Sequence, residues 1–223
     1  MNPYSLLAQL TPNQREKLIS LGTIKSYSPN QLIHSRGQIK PGLSVVIDGL
    51  VMVGIGGKDG SYVPVTVLGP GESFGEFTLF ADLPRTHDIY AYSDARVLQV
   101  TKSKFERFYQ HDRSAADSLL KITLLRTHQL LEMHDALSRL PLPLRAMKLL
   151  LSLAVTAGTI DHLTIRQSDI SALMGVSRVS LGKVLQQLQE QQLIKLGYGK
   201  IEFGDRKRCE AWLASQTDTP LNA

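Results

Sequence analysis

The chain has 223 residues, 43% of them hydrophobic and 20% charged, enough for a packed core in one large domain or two small ones. A single cysteine, Cys209, excludes an intrachain disulfide and, by itself, the usual iron–sulfur and structural zinc sites. The net charge is +5 and unevenly spread: residues 141–213 carry 10 Lys and Arg against 6 Asp and Glu, residues 1–140 carry 15 against 13. A phosphate-binding surface in the last third would need such an excess.

The opening MNPYSLLAQLTPNQREK lacks the basic start and long apolar run of a secretion signal, so a cytoplasmic protein is expected. No run of 18 apolar residues predicts a membrane span. Residues 1–21 read as a short helical entry, with Thr11 as cap and Pro12 at the first helical position. From Ile24 to Thr101 the texture changes to short apolar runs such as LSVVIDGLVMVGI and YVPVTVLG, broken by glycines. Many short strands with frequent turn signals indicate an antiparallel barrel or sandwich. Gly56 to Gly60 reads as a hairpin loop.

Inside that region lies Gly71–Ala91, GESFGEFTLFADLPRTHDIYA. Gly75-Glu76 opens a short apolar turn, and Pro84-Arg85-Thr86 follows it. Backbone N–H groups of such a turn, with the Arg85 fork, suit an anion, and Glu76 suits sugar hydroxyls. Equally, Glu76 and Arg85 can simply pair with each other in a barrel mouth.

From Lys102 to about Leu140 the pattern is helical. Leu130, Met133, Leu137 and Leu140 fit a coiled-coil seam, and Leu119, Thr123 and Arg126 fall on the same register upstream. The other reading is a helix packed on its own barrel. Pro141-Leu142-Pro143 breaks it. Leu144–Ala154 is a further apolar helix, and Gly158–Leu163 a loop or short strand.

Asp169–Gln189 reads as two short helices around Gly175. Ile170, Leu173 and Met174 repeat before the turn, and Leu181, Val184, Leu185 and Leu188 after it. That buries one face of the second helix and leaves Val179, Lys183 and Gln186 outward, with Arg178 at the exposed N-terminal end. A helix so presented is the reading element of a helix-turn-helix. Leu193–Leu196, a Gly197-Tyr198-Gly199 turn and Lys200–Phe203 add a hairpin, giving a winged form. The tail from Ser215 is polar.

Taken in order, these segments resemble the CRP/FNR family of bacterial transcription regulators, over about Leu6 to Leu213. The resemblance rests on IDGLVMV with Gly49, Gly37 and Gly71; on Gly75-Glu76 followed by Pro84-Arg85-Thr86; and on Gly175-Val176-Ser177-Arg178 with Leu181-Gly182-Lys183. It implies an α+β fold: an N-terminal antiparallel β-roll, jelly-roll-like, over 1–112, a long dimerisation helix over 113–140, a C-terminal winged helix-turn-helix over 141–213 and a tail over 214–223. It also implies a homodimer on double-stranded DNA, contact with RNA polymerase, and a small ligand in the β-roll, cyclic AMP or another cyclic nucleotide. The ligand would meet Gly75, Glu76, Arg85 and Thr86. The positions where cyclic-AMP receptors place adenine-facing hydroxyls hold Leu130 and Leu131, and His87-Asp88 follow Thr86 where small or hydroxyl residues are usual. An added carboxylate there would repel a phosphate.

On the DNA side the familiar Ser-Arg-Glu-Thr-Val-x-Arg is replaced by Ser177-Arg178-Val179-Ser180-Leu181-Gly182-Lys183. Arg178 is expected on guanine O6 and N7, and Val179 on a thymine methyl. Lys183 loses the fork of arginine and serves phosphate or base. Arg166 and Gln167, at the start of the first helix, are expected on phosphates, which position rather than specify. No G-x-S-x-G, H-E-x-x-H, P-loop or dinucleotide fingerprint occurs, so no enzyme is expected. The N-terminal cysteine cluster of oxygen-sensing relatives is absent, while six histidines, including His87, His128 and His134, leave haem open. A constitutive DNA-binding regulator with a ligand-free β-roll is the remaining alternative.

Overall fold

A computed structural model describes residues 2–57 and 62–216. Its first helix, α1 (Leu6–Gln9), is capped by Ser5, and α2 (Pro12–Leu21) by Thr11. Thr11 and Gln14 form a reciprocal capping box, with Pro12 at the first turn. The strands follow: β1 (Thr23–Tyr27), β2 (Leu32–His34), β3 (Gly42–Asp48), β4 (Val51–Gly56), β5 (Tyr62–Leu68), β6 (Ser73–Phe74), then a short helix α3 (Glu76–Phe80), β7 (Asp88–Ala91) and β8 (Ala95–Thr101).

Among the described residues these strands form two antiparallel four-stranded sheets, ordered β1-β8-β3-β6 and β2-β7-β4-β5. Chain neighbours are mostly not sheet neighbours, as in a rolled-up jelly roll. One apolar cluster, with Val46, Val51, Phe74, Ile89 and Val97, fills the roll. A second joins Leu6, Leu7, Leu10 and Leu18 of the entry helices to Leu43, Leu98, Phe105, Phe108, Leu119 and Ile122. The expected Gly56–Gly60 hairpin lies largely outside the described residues, because 58–61 are not described.

The helical stretch from Lys102 is two helices, α4 (Lys102–His111) and α5 (Arg113–Arg139), separated at Asp112. The chain divides into two compact units, one up to Leu130 and one from Leu131 onward. The structure corrects the upstream extension of the seam expected on α5, at Leu119, and leaves Leu130, Met133 and Leu137 open. Leu119, placed in that seam, is buried with Ala115 and Ile122 in the core beneath the entry helices. Leu120, Leu124, Leu130, Leu131, Met133 and Leu137 are the exposed apolar residues. The early turns of α5 therefore have two apolar faces, one packed at home and one open.

After the last turns of α5, the second unit continues with α6 (Leu142–Ala157), which carries Pro143 in its first turn and ends at Gly158 in the left-handed conformation. β9 (His162–Thr164), α7 (Gln167–Met174), α8 (Arg178–Glu190), β10 (Ile194–Gly197) and β11 (Lys200–Phe203) complete the winged helix-turn-helix. Gly158–Leu163 resolves into a loop entering β9, which pairs with β11 as the third strand of the wing. A last helix, α9 (Arg206–Ser215), is capped by Asp205 and buries Cys209 and Leu213. Residues 217–223 lie outside the described residues.

Candidate ligand pocket and nucleic-acid interface

Directly after β6, Gly75 caps α3 with φ +105°, a conformation that favours glycine. A Cβ there would sit 2.5 Å from the Gly42 carbonyl oxygen and 3.1 Å from Arg85 Nη1, so the guanidinium lies directly against the bare backbone. Arg85 is only 7% exposed, and its backbone is pinned on both sides: its N–H donates to Gln38 O (3.0 Å) and its carbonyl accepts from the Gly37 N–H (2.8 Å). Its Nε is buried without a hydrogen-bond partner, and it takes part in no ion pair among the described residues. Burial pulls its pKa down, opposed by the nearby Glu76 charge.

Glu76 does not pair with Arg85. Its Oε1 accepts from Ser73 Oγ (2.5 Å) and from Arg126 Nη1 of α5 (3.0 Å). Arg126 Nη2 is buried without a partner. A second carboxylate, Glu72, is buried and accepts from the Gly69 N–H (2.7 Å); burial raises its pKa, and that hydrogen bond and the Arg126 charge oppose the rise. The roll thus holds two guanidinium groups with unmet donors beside a carboxylate already in use. Such donors suit an anion with several acceptor oxygens, and phosphate has that chemistry.

His34 belongs to the same neighbourhood and was not singled out from the sequence. Its Nε2 lies 3.1 Å from Ser44 Oγ, and its ring meets Phe74 edge-on. Burial, then the Arg85 charge, push its pKa down to about 4. Thr86 is exposed, with its hydroxyl 2.8 Å from His87 Nδ1. Asp88, suspected of repelling a phosphate, is engaged elsewhere. Its carboxylate accepts from the backbone N–H groups of Arg36 (2.8 Å) and Gly56 (3.1 Å), tying β7 to β4 and the loop after β2. Leu130 and Leu131 are 68% and 67% exposed; Leu130 stands one turn beyond Arg126 on α5. No metal-holding cluster of His, Cys, Asp or Glu occurs among the described residues.

In the second unit, Gly175 (φ +64°) closes α7 and sets the corner of the helix-turn-helix. Ser177 caps α8, accepting from the Ser180 N–H at 3.0 Å. Leu181, Val184, Leu185 and Leu188 are all buried. Each such side chain contributes about 1.5–3 kcal/mol of apolar burial and fixes the helix's rotation. The opposite face is open: Arg178 begins the helix, Val179 is 70% exposed, and Lys183 and Gln186 follow at i+4 and i+7 from Val179. Arg166 is the N-cap residue of α7, its Nε donating to Asp169 Oδ2 (2.8 Å), and Gln167 next to it is exposed. The sequence-predicted residues of the reading helix therefore share one surface, as drawn from periodicity.

A cyclic nucleotide-binding domain profile matches residues 24–112, and a Crp-like helix-turn-helix domain profile matches residues 144–212. The chain belongs to the CRP/FNR family of transcription regulators. This CRP/FNR chain is 27% identical over 189 residues to the HTH-type transcriptional regulator Cmr of Mycobacterium tuberculosis, covering 84% of this chain and 75% of that one. It is 26% identical over 216 residues to the cyclic AMP receptor protein of Thermus thermophilus, covering 94% and 97%. The solved structure of FixK2 from Bradyrhizobium japonicum shares its fold, with a TM-score of 0.72 at 21% identity over 85% of this chain and 96% of that one. No helix among the described residues is long and apolar enough to cross a membrane.

Proposed function

We propose that this CRP/FNR regulator is a cytoplasmic, non-catalytic homodimer whose affinity for its DNA operator is controlled by a phosphate-bearing ligand of the cyclic-nucleotide class. Residues 1–112 hold the ligand, 113–140 join the copies, and 141–213 read double-stranded DNA. The observation that carries ligand control is Arg85: a buried cation, Nε unmet, set against Gly75. A buried charge with an unmet donor and no ion pair is costly, and an anion relieves it. Arg85 with the Gly75 backbone and Thr86 would hold the phosphate, and Glu76 the sugar hydroxyls. Leu130 and Leu131 would stand at the base end, where leucines leave an adenine amino group unmet at about 1–3 kcal/mol per lost hydrogen bond. That supports cyclic AMP less than a ligand with an apolar or different base-side group.

The Glu76–Arg126 bridge supports a route out of the pocket, since it joins the ligand-binding carboxylate to the long helix. A ligand with differential affinity for two arrangements of α5 would shift their populations and so the DNA affinity. The exposed leucines of α5 support pairing with a second copy. Two reading helices would then enter successive major grooves about 34–36 Å apart, with Arg178, Val179 and Lys183 at base edges and Arg166, Gln167 and the Ser177 cap against the backbone. Contact with RNA polymerase is part of the same reading.

The test is calorimetric titration of the full-length chain with cyclic AMP, cyclic GMP and a panel of nucleotides, beside operator selection from random DNA with and without the ligand that binds. Binding lost in Arg85→Gln, with operator affinity dependent on the ligand, is the expected result. Equal operator affinity under every condition would make the β-roll a scaffold and the protein a constitutive regulator.

A further inference from the structure

The open face of α8 contains a glycine that the folded chain does not need. Gly182 lies in the helix interior, three residues after Val179 and four before Gln186, on the face that carries Val179 and Lys183. Its backbone is not in the left-handed region. A Cβ built on it would meet no heavy atom within 4 Å, whereas at Gly22, Gly42 and Gly75 it would be within 3 Å of a neighbour. Glycine lowers helix stability relative to alanine, and here neither backbone nor packing requires it.

We infer that the missing methyl at Gly182 is room for a base, and that the group occupying it is a thymine C5-methyl. The argument is one of shape. Val179 and Gln186 border the bare stretch from the turns on either side, and Val179 supplies an apolar wall. Of the base edges in the major groove, thymine alone projects a methyl group. A side-chain methyl at position 182 would occupy the same volume and hold the helix away from the groove, lifting Arg178 and Lys183 off their contacts. The inference rests on α8 being the reading helix, and it makes Gly182 a specificity-determining residue by absence.

The test exchanges one methyl for another. Full-length wild type and Gly182→Ala are titrated with the selected operator and with copies in which single thymines are replaced by deoxyuridine, in the ligand state that gives tightest wild-type binding. Gly182→Ala is expected to melt at a higher temperature than wild type. It should bind the thymine operator at least tenfold more weakly, and recover most of that loss on one deoxyuridine operator, a substitution that weakens wild-type binding. Binding within twofold of wild type on the thymine operator would overturn the inference, as would an equal loss on thymine and on every deoxyuridine duplex. Arg178→Ala, run in parallel, separates the two levels. If it abolishes recognition while Gly182→Ala does not, only this inference fails; if neither matters, α8 is not the reading helix.

Discussion

Glu76 is where a single removed charge should be felt most strongly in the β-roll. Its Oε1 holds Arg126 at 3.0 Å, with the two side chains 24% and 27% exposed. At that distance and an effective dielectric of about 20, the gross attraction is about 5–6 kcal/mol. Desolvation and ordering of both side chains remove most of it. Exposed pairs retain about 0.2–1 kcal/mol, and breaking a fully buried one costs about 3–5 kcal/mol. A pair three-quarters buried falls between, at a coupling of about 1–2 kcal/mol.

The two truncations are not equivalent. Arg126→Met leaves Glu76 with the Ser73 hydroxyl still donating, so its cost should stay near about 1 kcal/mol. Glu76→Gln leaves Arg126 partly buried, with one guanidinium nitrogen already unmet, and takes from Arg85 its opposing charge. We expect about 2–3 kcal/mol. Urea unfolding followed by far-ultraviolet circular dichroism measures this; tryptophan fluorescence does not, because the single tryptophan, Trp212, lies in the other unit. A double-mutant cycle coupling below about 0.3 kcal/mol, or Arg126→Met costing as much as Glu76→Gln, would refute the account.

His34 has a folded pKa near 4 against 6.5 for the free side chain. The unfolded chain therefore binds its proton first, so the contribution is intact above about pH 6.5 and is lost progressively as pH falls toward 4. Arg85, Lys40 and Lys25 all disfavour the charged ring, and only the Gln38 hydrogen bond opposes them. His34→Gln should flatten the acid limb of the stability profile by on the order of 2 kcal/mol, and an unchanged limb would count against the burial of this ring. On α5, Leu124→Glu should convert a dimer to monomer in sedimentation while leaving the roll folded, since Leu124 is exposed and outside both cores. The same charge at Leu119 should unfold the roll instead.

Periodicity was a good guide where one face of an element is buried by neighbours close in sequence. The reading helix is the clearest case: four apolar residues at i, i+3, i+4 and i+7 fix its rotation, and Ser177 and Gly175 fix its ends. It misled at Leu119 of α5, because periodicity finds apolar stripes without saying what covers them. Leu119 and Leu120 are neighbours, yet one meets the roll and the other faces out. α9 went unread because it starts Arg206-Lys207-Arg208 and buries only Cys209 and Leu213, too few apolar positions to show a repeat. The candidate site was half legible. Gly75, Glu76 and Arg85 sit in one short stretch, but Arg126 reaches Glu76 across 50 residues, and His34 arrives on a different strand. Asp88 could not be placed from its neighbours in sequence: its carboxylate is held by two amides distant in the chain.

The entry helices have a consequence for how the molecule is made. Leu6, Leu7, Leu10 and Leu18 are buried against Phe105, Phe108, Leu119 and Ile122. Gln14 Nε2 clasps Asp112 and Ser114 at 2.9 and 2.6 Å, and Ser118 Oγ donates to the Gln9 carbonyl. The entry helices are thus finished by a part of the polypeptide synthesised roughly a hundred residues later. At about 5–20 residues per second, those leucines stay uncovered for on the order of 5–20 seconds on every nascent chain. Until Ile122 emerges, they are open to chaperones.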